Sequence, residues 1–303
     1  MIVMLAILAA LALDTLLGEP RRFHPLIGFG QLAQATEQRW YADSVRRGAL
    51  AVLVLLVPFA LLAALTRFLP CGIVIDGLLL YLAIGRRSLG EHAQHVRDAL
   101  LAKNLPEARR CVGLMVSRDT MPLDLANVSK ATVESVLENG NDAIFGVIFW
   151  FVVAGAPGAV LYRLANTLDA MWGYRTERYR RFGWAAARLD DALNFIPARL
   201  TALSYALAGH TQAALRCWRQ QGLYWKSPNA GPVMAAGAGS LGVQLGGPAS
   251  YHGTMQHRPL LGEGHTPDVE DIDSALQLIR HSLMIWVVAL AGGTTLVVFF
   301  TTR

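Results

Sequence analysis

Four groups of residues have the types and spacing to do chemistry. Asp14-Thr15-Leu16-Leu17-Gly18-Glu19-Pro20, followed by His24-Pro25, places two carboxylates and an imidazole at the end of an apolar run. Such a set can hold a metal or move a proton; the alternative is that Glu19 caps a turn and Asp14 pairs with an arginine. A second group runs from Ser117-Arg118-Asp119-Thr120 through Asp124 to Glu134, Glu138, Asn139 and Asp142. Glu134, Glu138 and Asp142 stand four residues apart, so a helix would line them on one face, where their charges repel. Mg²⁺ would relieve that repulsion and could neutralise nucleotide phosphates; the plainer reading is a solvated acidic face.

The third group holds Asn166, Asp169, Asp190, Asp191, Asn194 and Arg199. Asp190 and Asn194 share a helical face, giving a second acidic site. Arg163, Arg175, Arg178, Arg180, Arg181 and Arg188 accompany it, which suits anionic substrates and equally a membrane-surface helix. The fourth is Ser227-Pro228-Asn229-Ala230-Gly231, leading to Gly237, Gly239, Gly242, Gly246 and Gly247, with Tyr251-His252-Gly253 after it. Glycines at this density let backbone amides cradle phosphate, although no Gly-Lys-Ser/Thr ending makes it a Walker loop. Small residues four apart also serve close helix packing. Glu91-His92 with His95 lacks the His-Glu-x-x-His order of a zinc protease and reads as surface or packing.

The elements that must position these groups are largely in lipid. The 303 residues are 53% hydrophobic and 16% charged, with a mean hydropathy of +0.36, outside the range of an ordinary soluble domain. Windows 48–66, 143–162 and 282–302 carry no charge and are long enough to cross the roughly 30 Å hydrocarbon layer. Windows 1–18 and 69–85 contain Asp14 and Asp76 and are read as further spans; the first has no basic residue ahead of it and is not read as a cleaved signal. Cys71, Cys111 and Cys217 have no disulfide or thiolate-metal spacing. The net charge of +5 fits basic cytoplasmic loops, and nothing supports nucleic-acid binding.

Basic residues set the orientation. Arg21, Arg22, Arg39, Arg46 and Arg47, then the run from Arg86 to Lys130, place both loops in the cytoplasm and the N-terminus outside. A full crossing by 143–162 would export the arginines after it. The window is interrupted by Gly155-Ala156-Pro157-Gly158, so it is read as a re-entrant hairpin, leaving only Arg67 and Arg303 outside. In the alternative topology both 143–162 and 195–209 cross; otherwise 195–209 is an interfacial or buried helix. Residues 88–116 read as a helical hairpin with Asn104-Leu105-Pro106 opening its second arm, and 224–267 as largely loop. The fold class is an all-α integral membrane protein, one domain over 1–303, with about four transmembrane helices, the re-entrant hairpin, and cytoplasmic segments 86–142 and 163–281.

Taken in order along nearly the whole chain, Leu13-Asp14 to Gly18-Glu19-Pro20 and His24-Pro25, Ser117-Arg118-Asp119-Thr120, Glu134-Ser135 to Glu138-Asn139, Asn166-Thr167-Leu168-Asp169, Arg188-Leu189-Asp190-Asp191 to Asn194-Phe195-Ile196-Pro197-Ala198-Arg199, and Ser227-Pro228-Asn229-Ala230-Gly231 are similar to the adenosylcobinamide-phosphate synthase family, known as CbiB or CobD. One departure is Phe23, where the family mostly carries Trp.

The resemblance implies a carbon-nitrogen ligase of the bacterial inner membrane with its active site facing the cytoplasm. It would join (R)-1-amino-2-propanol or its O-phosphate to the corrinoid adenosylcobyric acid with ATP and Mg²⁺. Partners beyond the bilayer would be a second copy or other cobalamin-assembly membrane proteins. The roles expected are metal ligation by Glu134, Glu138, Asp142, Asp190 and Asp191, and phosphate or substrate contact by Arg118, Asn166, Arg199, Ser227, Asn229 and Gly231. His24 is the expected base for the incoming ammonium, with Glu19 and Asp119 beside it in the chemistry. Rival readings are a transporter, motivated by Asp14, Asp76 and the broken helix; a partner-dependent membrane subunit binding through 88–116; and a prenyltransferase-like enzyme, loosely similar in its Asp-rich helices.

Overall fold

The computed structural model describes residues 2–20, 24–174, 176–251 and 253–301, with side chains described to residue 293. Arg21, Arg22, Phe23, Arg175, His252 and Arg303, which entered the sequence reading, lie outside the described residues. In chain order the helices are α1 (Ile2–Leu17), α2 (Pro25–Trp40), α3 (Val45–Ala64), α4 (Gly72–Ala83), α5 (Arg86–Leu101), α6 (Leu105–Val112), α7 (Leu125–Gly140), α8 (Gly146–Ala154), α9 (Ala156–Trp172), α10 (Tyr179–Phe182), α11 (Trp184–Ala208), α12 (Thr211–Gln221), α13 (Ala230–Leu241) and α14 (Glu270–Thr301). The chain forms two compact units, residues 1–87 with 142–194 and residues 88–141 with 195–303.

Among the described residues three helical stretches are long and apolar enough to cross a membrane: Val45–Phe68, Leu125–Ala154 and Glu270–Gly293. Two expected spans are shorter. Helix α1 has 16 residues, and window 69–85 becomes the 12-residue α4 after a 3-10 turn, about 18 Å of helix against a layer of roughly 30 Å. Asp76, the charge in that window, accepts the Thr66 hydroxyl at 2.6 Å, so its carboxylate is satisfied within the turn.

In the first unit α9 packs against α2, α3, α4 and α8. Its apolar face, including Leu164, Leu168 and Trp172, joins Phe29, Leu55 and Phe182 in the core. The break anticipated in window 143–162 falls at Gly155, whose φ of +70° is costly for any residue with a Cβ. Helices α8 and α9 then fold back on each other so closely that a Cβ on Gly158 would lie 2.4 Å from the Trp150 carbonyl oxygen. Arg67 Nη2 donates to the Ala154 carbonyl at 2.9 Å, tying the tip of this hairpin to the turn between α3 and α4.

The second unit is built around α13, which is buried almost throughout and packs against α7, α12 and α14. Residues 224–267, expected to be largely loop, hold this helix and four short strands, so the all-α expectation is corrected by a small β component. Strand β1 (Gln244–Gly246) pairs antiparallel with β4 (Leu260–Gly262), and inside them β2 (Ala249–Tyr251) pairs with β3 (Thr254–Gln256). Three-residue strands carry too few positions for alternation to show. Residues 88–116 hold two helices, α5 and α6, as expected, with Asn104 Oδ1 accepting the Glu107 amide to open α6.

Candidate functional site

Asp14 is buried at the end of α1 and is fully engaged. It pairs with Arg86 at 3.2 Å and accepts the Arg87 amide, while Arg87 Nη1 donates to the Thr15 and Leu16 carbonyls that end the helix. This arginine pairing is the alternative weighed for Asp14. Both acidic residues that raised the transporter reading, Asp14 and Asp76, therefore have local partners.

Glu19, His24 and Arg163 behave differently. His24 caps α2 by accepting the Leu26 amide on Nδ1 at 3.2 Å, and its Nε2 is buried with no partner among the described residues. Burial holds its pKa below the ordinary range, with Glu19 acting in the opposite direction, so the ring is neutral. Since Nδ1 accepts, the proton sits on Nε2, which is then a donor rather than the lone pair a general base needs. The geometry thus opposes the expected base role. The side chains of Glu19 and Arg163 make no hydrogen bond or ion pair among the described residues, and Arg163 Nε is buried. They flank Gly85: a Cβ there would lie 3.1 Å from Glu19 Oε1 and 3.6 Å from Arg163 Nη2.

The same unit contains the acidic residues of the third group. Asp190 on α11 receives the amides of Asn166 at 3.2 Å and Asn194 at 3.1 Å, and Asn194 Oδ1 accepts the Tyr162 hydroxyl. Burial raises the Asp190 pKa well above the carboxylate range, helped by the charges of Asp142 and Asp169. Burial likewise pushes Asp169 up to about 6, with Asp142 and Asp191 adding to it. Asp191 is held by Arg188 at 3.4 Å. Acidic groups driven toward protonation by burial and by one another are what a divalent cation would relieve. Asp142 sits in a π turn, Asn141–Phe145, where the four-residue register of α7 does not continue.

In the second unit Glu134, 2% exposed, has its charge answered by protein. It pairs with Arg118 and with Arg258, the latter at 3.1 Å, and accepts the Gly246 amide at 2.7 Å. The repulsion that argued for Mg²⁺ at this residue is met by two arginines, and Arg118, expected on phosphate, is committed to the pair. Arg258 lies in the irregular 257–259 link and gave no sequence signal. Arg118 also feels the charge of Glu138. Asp119 Oδ2 accepts the Ser250 hydroxyl and the Gly253 amide, while its own amide donates to the Ser250 carbonyl, so it holds the β2–β3 tip.

Arg199 Nη1 donates to Asn229 Oδ1 at 2.6 Å and Nη2 to the Pro228 carbonyl at 3.0 Å, with the guanidinium 3.8 Å from the centre of the Phe195 ring. Ser227 Oγ accepts the Asn229 and Ala230 amides at the start of α13. Gly231, Gly237 and Gly239 lie inside that helix; a Cβ on Gly231 would stand 2.1 Å from the Gly222 carbonyl oxygen. Close packing is the reading these three positions support. Among the described residues one trio, His265, Asp268 and Asp271, brings three metal-type ligand atoms within 4.8 Å. Asp271 there accepts the Asp268 amide and meets His265 Nε2 at 2.9 Å, at the start of α14.

Residues 7–279 match the family described as CobD/Cbib protein. The chain is 56% identical over 302 residues to the cobalamin biosynthesis protein CobD of Stutzerimonas stutzeri, covering 97% of this chain and 98% of that one. It is 58% identical to the CobD protein of Chromobacterium violaceum over 91% of this chain and 92% of that one. The CobD protein of Mycobacterium tuberculosis is 38% identical over 98% of this chain and 95% of its own length. No solved structure matches the chain. With the family match running almost from end to end and the relatives aligned over nearly their full lengths, the chain belongs to the CobD/CbiB family.

Proposed function

We propose that the protein acts in cobalamin biosynthesis as a membrane ligase, joining an aminopropanol unit, free or as its O-phosphate, to the free carboxylate of adenosylcobyric acid at the expense of ATP. Family membership supports the pathway. The observation that fits ATP and Mg²⁺ chemistry is the acidic set of the first unit, where Asn166 and Asn194 hold the buried Asp190 and the charges of Asp142 and Asp169 act on it.

The fit to Mg²⁺ can be judged from the donors. Asp142, Asp169, Asp190 and Asp191 offer carboxylates, and Asn166 and Asn194 orient Asp190. Mg²⁺ needs only one or two carboxylates when phosphate oxygens and water complete its shell, so these residues suit it without forming a cage. When bound, Mg²⁺ would offset charge on the transferring phosphoryl group. Glu134, saturated by arginines, does not fit.

In the proposed reaction the corrinoid carboxylate attacks the γ-phosphorus of ATP and ADP leaves, giving an acyl phosphate. The amine then attacks the acyl carbon and inorganic phosphate departs. The attacking nitrogen must first lose a proton, and Glu19, a carboxylate near His24 with no partner among the described residues, can receive it. Arg118, Asp119, Arg199, Ser227 and Asn229 would serve indirectly, by holding the β hairpin and the start of α13.

The test is ligation by the chain purified in nanodiscs with adenosylcobyric acid, aminopropanol phosphate and Mg-ATP, following product mass and ADP together. Stoichiometric product and ADP is the expected result. Intact substrates with a folded protein would overturn the reading in favour of a partner-dependent subunit.

A further inference from the structure

We propose that Glu19, His24 and Arg163 form a seat for a small zwitterion, an amine that also carries a phosphate or carboxylate group, with Arg163 as the residue that selects the anionic end. In the ligase reading, on which this rests, the zwitterion is the phosphorylated amino alcohol.

The inference stands on what these groups leave undone. Buried polar atoms in folded proteins nearly always have hydrogen-bond partners, and those that lack one point to a missing ligand. Here two such atoms, on His24 and Arg163, lie near the half-buried carboxylate of Glu19. Among the described residues His24 Nε2, on a side chain 6% exposed, has no partner, and neither has the buried Arg163 Nε. The Glu19 carboxylate makes no hydrogen bond or ion pair among the described residues. The charges of Glu19 and Arg163 both act on His24.

The separation of the charges defines the ligand. Glu19 Oε1 and Arg163 Nη2 both border the space above Gly85, yet they form no ion pair with each other. An anion and a cation across a short gap, neither paired among the described residues, complement a molecule carrying the opposite charges in the same order. A lone phosphate would leave Glu19 repelling it, and a simple amine would leave Arg163 uncompensated. His24, fixed as an Nε2 donor by its Nδ1 bond, can add a hydrogen bond to the anionic end. The absence of a side chain at Gly85 keeps the gap open, its amide donating to the Ala143 carbonyl at 3.0 Å.

Equilibrium binding to the full chain in nanodiscs tests this without turnover, using 1-amino-2-propanol O-phosphate, free 1-amino-2-propanol and inorganic phosphate as probes. Arg163→Gln is expected to weaken the phosphorylated amine about tenfold or more and leave the free amine within about twofold. Glu19→Gln should weaken both amines and leave inorganic phosphate unchanged or tighter. Gly85→Ala, which alters no charge, should weaken the phosphorylated amine while the melting temperature holds.

Equal losses for all three probes, or none, would overturn the seat. The ligase reading fails separately: binding with this pattern but no ligation leaves the seat and removes the ligase. Ligation with an unchanged KM for the phosphorylated amine in Arg163→Gln does the reverse.

Discussion

At the scale of single residues, the acidic groups differ in what answers their charge. Glu134 is enclosed by Arg118 and Arg258, so Glu134→Gln leaves two buried guanidinium groups uncompensated and should destabilise the protein by about 3–5 kcal/mol. The expected readout is a lowered melting temperature with an unchanged Mg²⁺ requirement in the surviving activity; a normal melt with altered Mg²⁺ dependence would make Glu134 a ligand after all. Asp169 has the opposite problem. Its carboxyl rises from 3.8 unfolded to about 6 folded, so between those values the folded protein keeps a proton that the unfolded chain has released, and stability falls as pH rises through that window. The penalty at neutral pH is at most about 3 kcal/mol. Asp169→Asn should flatten the profile from pH 4 to 6, and Mg²⁺ at pH 7.5 should raise the melting temperature of the parent more than that of the variant. Equal shifts would remove the acidic set as a cation site. The sequence made Asp14, Glu19, His24, Asp169 and Asp190 visible because acids and imidazoles beside apolar runs stand out. It could not show that Asp14 is satisfied while the Glu19 carboxylate has no partner among the described residues, because the groups that answer Asp14, Arg86 and the Arg87 amide, reach it from another helix.

At the scale of elements, glycine positions separate packing from chemistry. The helices of 88–116 and the break at Gly155 were legible because Asn-x-Pro caps and Gly-Ala-Pro-Gly act locally. Helix α13 was not, since its glycines and alanines mimic a loop until α7 and α12 bury them on all sides. The structure makes the two kinds of glycine experimentally distinct. Gly231→Ala must push against the Gly222 carbonyl, so it should lower the melting temperature and reduce the amount of folded protein. A Gly231→Ala variant that melts normally but loses nucleotide binding would restore the phosphate-cradle reading. The hairpin is likewise an element held by few contacts. Asp119→Asn cannot accept from both the Ser250 hydroxyl and the Gly253 amide with the strength of a carboxylate, so the β2–β3 tip should gain hydrogen exchange while the core of α13 does not. Uniform exchange across both would show that Asp119 is no local anchor.

At the scale of the whole molecule, the side of the membrane that residues 163–194 occupy decides whether the acidic set can meet cytoplasmic ATP, because the set lies partly within them. Three stretches are long and apolar enough to cross, and α8 with α9 forms a hairpin whose tip is tied by Arg67 to the turn after α3. A hairpin of this form can enter and leave on one side, and the arginines of 163–188 favour the cytoplasm. Glu177 is exposed and lies between the hairpin and α11, which makes it a reporter of that side. Cys71 is the exposed native thiol; Cys111 and Cys217 are buried, and burial pushes the Cys217 thiol up to about 11, far from its reactive form. In a Cys71→Ser background, Glu177→Cys should resist an impermeant maleimide in intact spheroplasts and react in inverted vesicles. The reverse pattern would mean that residues 143–162 cross fully, exporting the arginines and taking the acidic set away from the cytoplasmic ATP that the ligase reading requires.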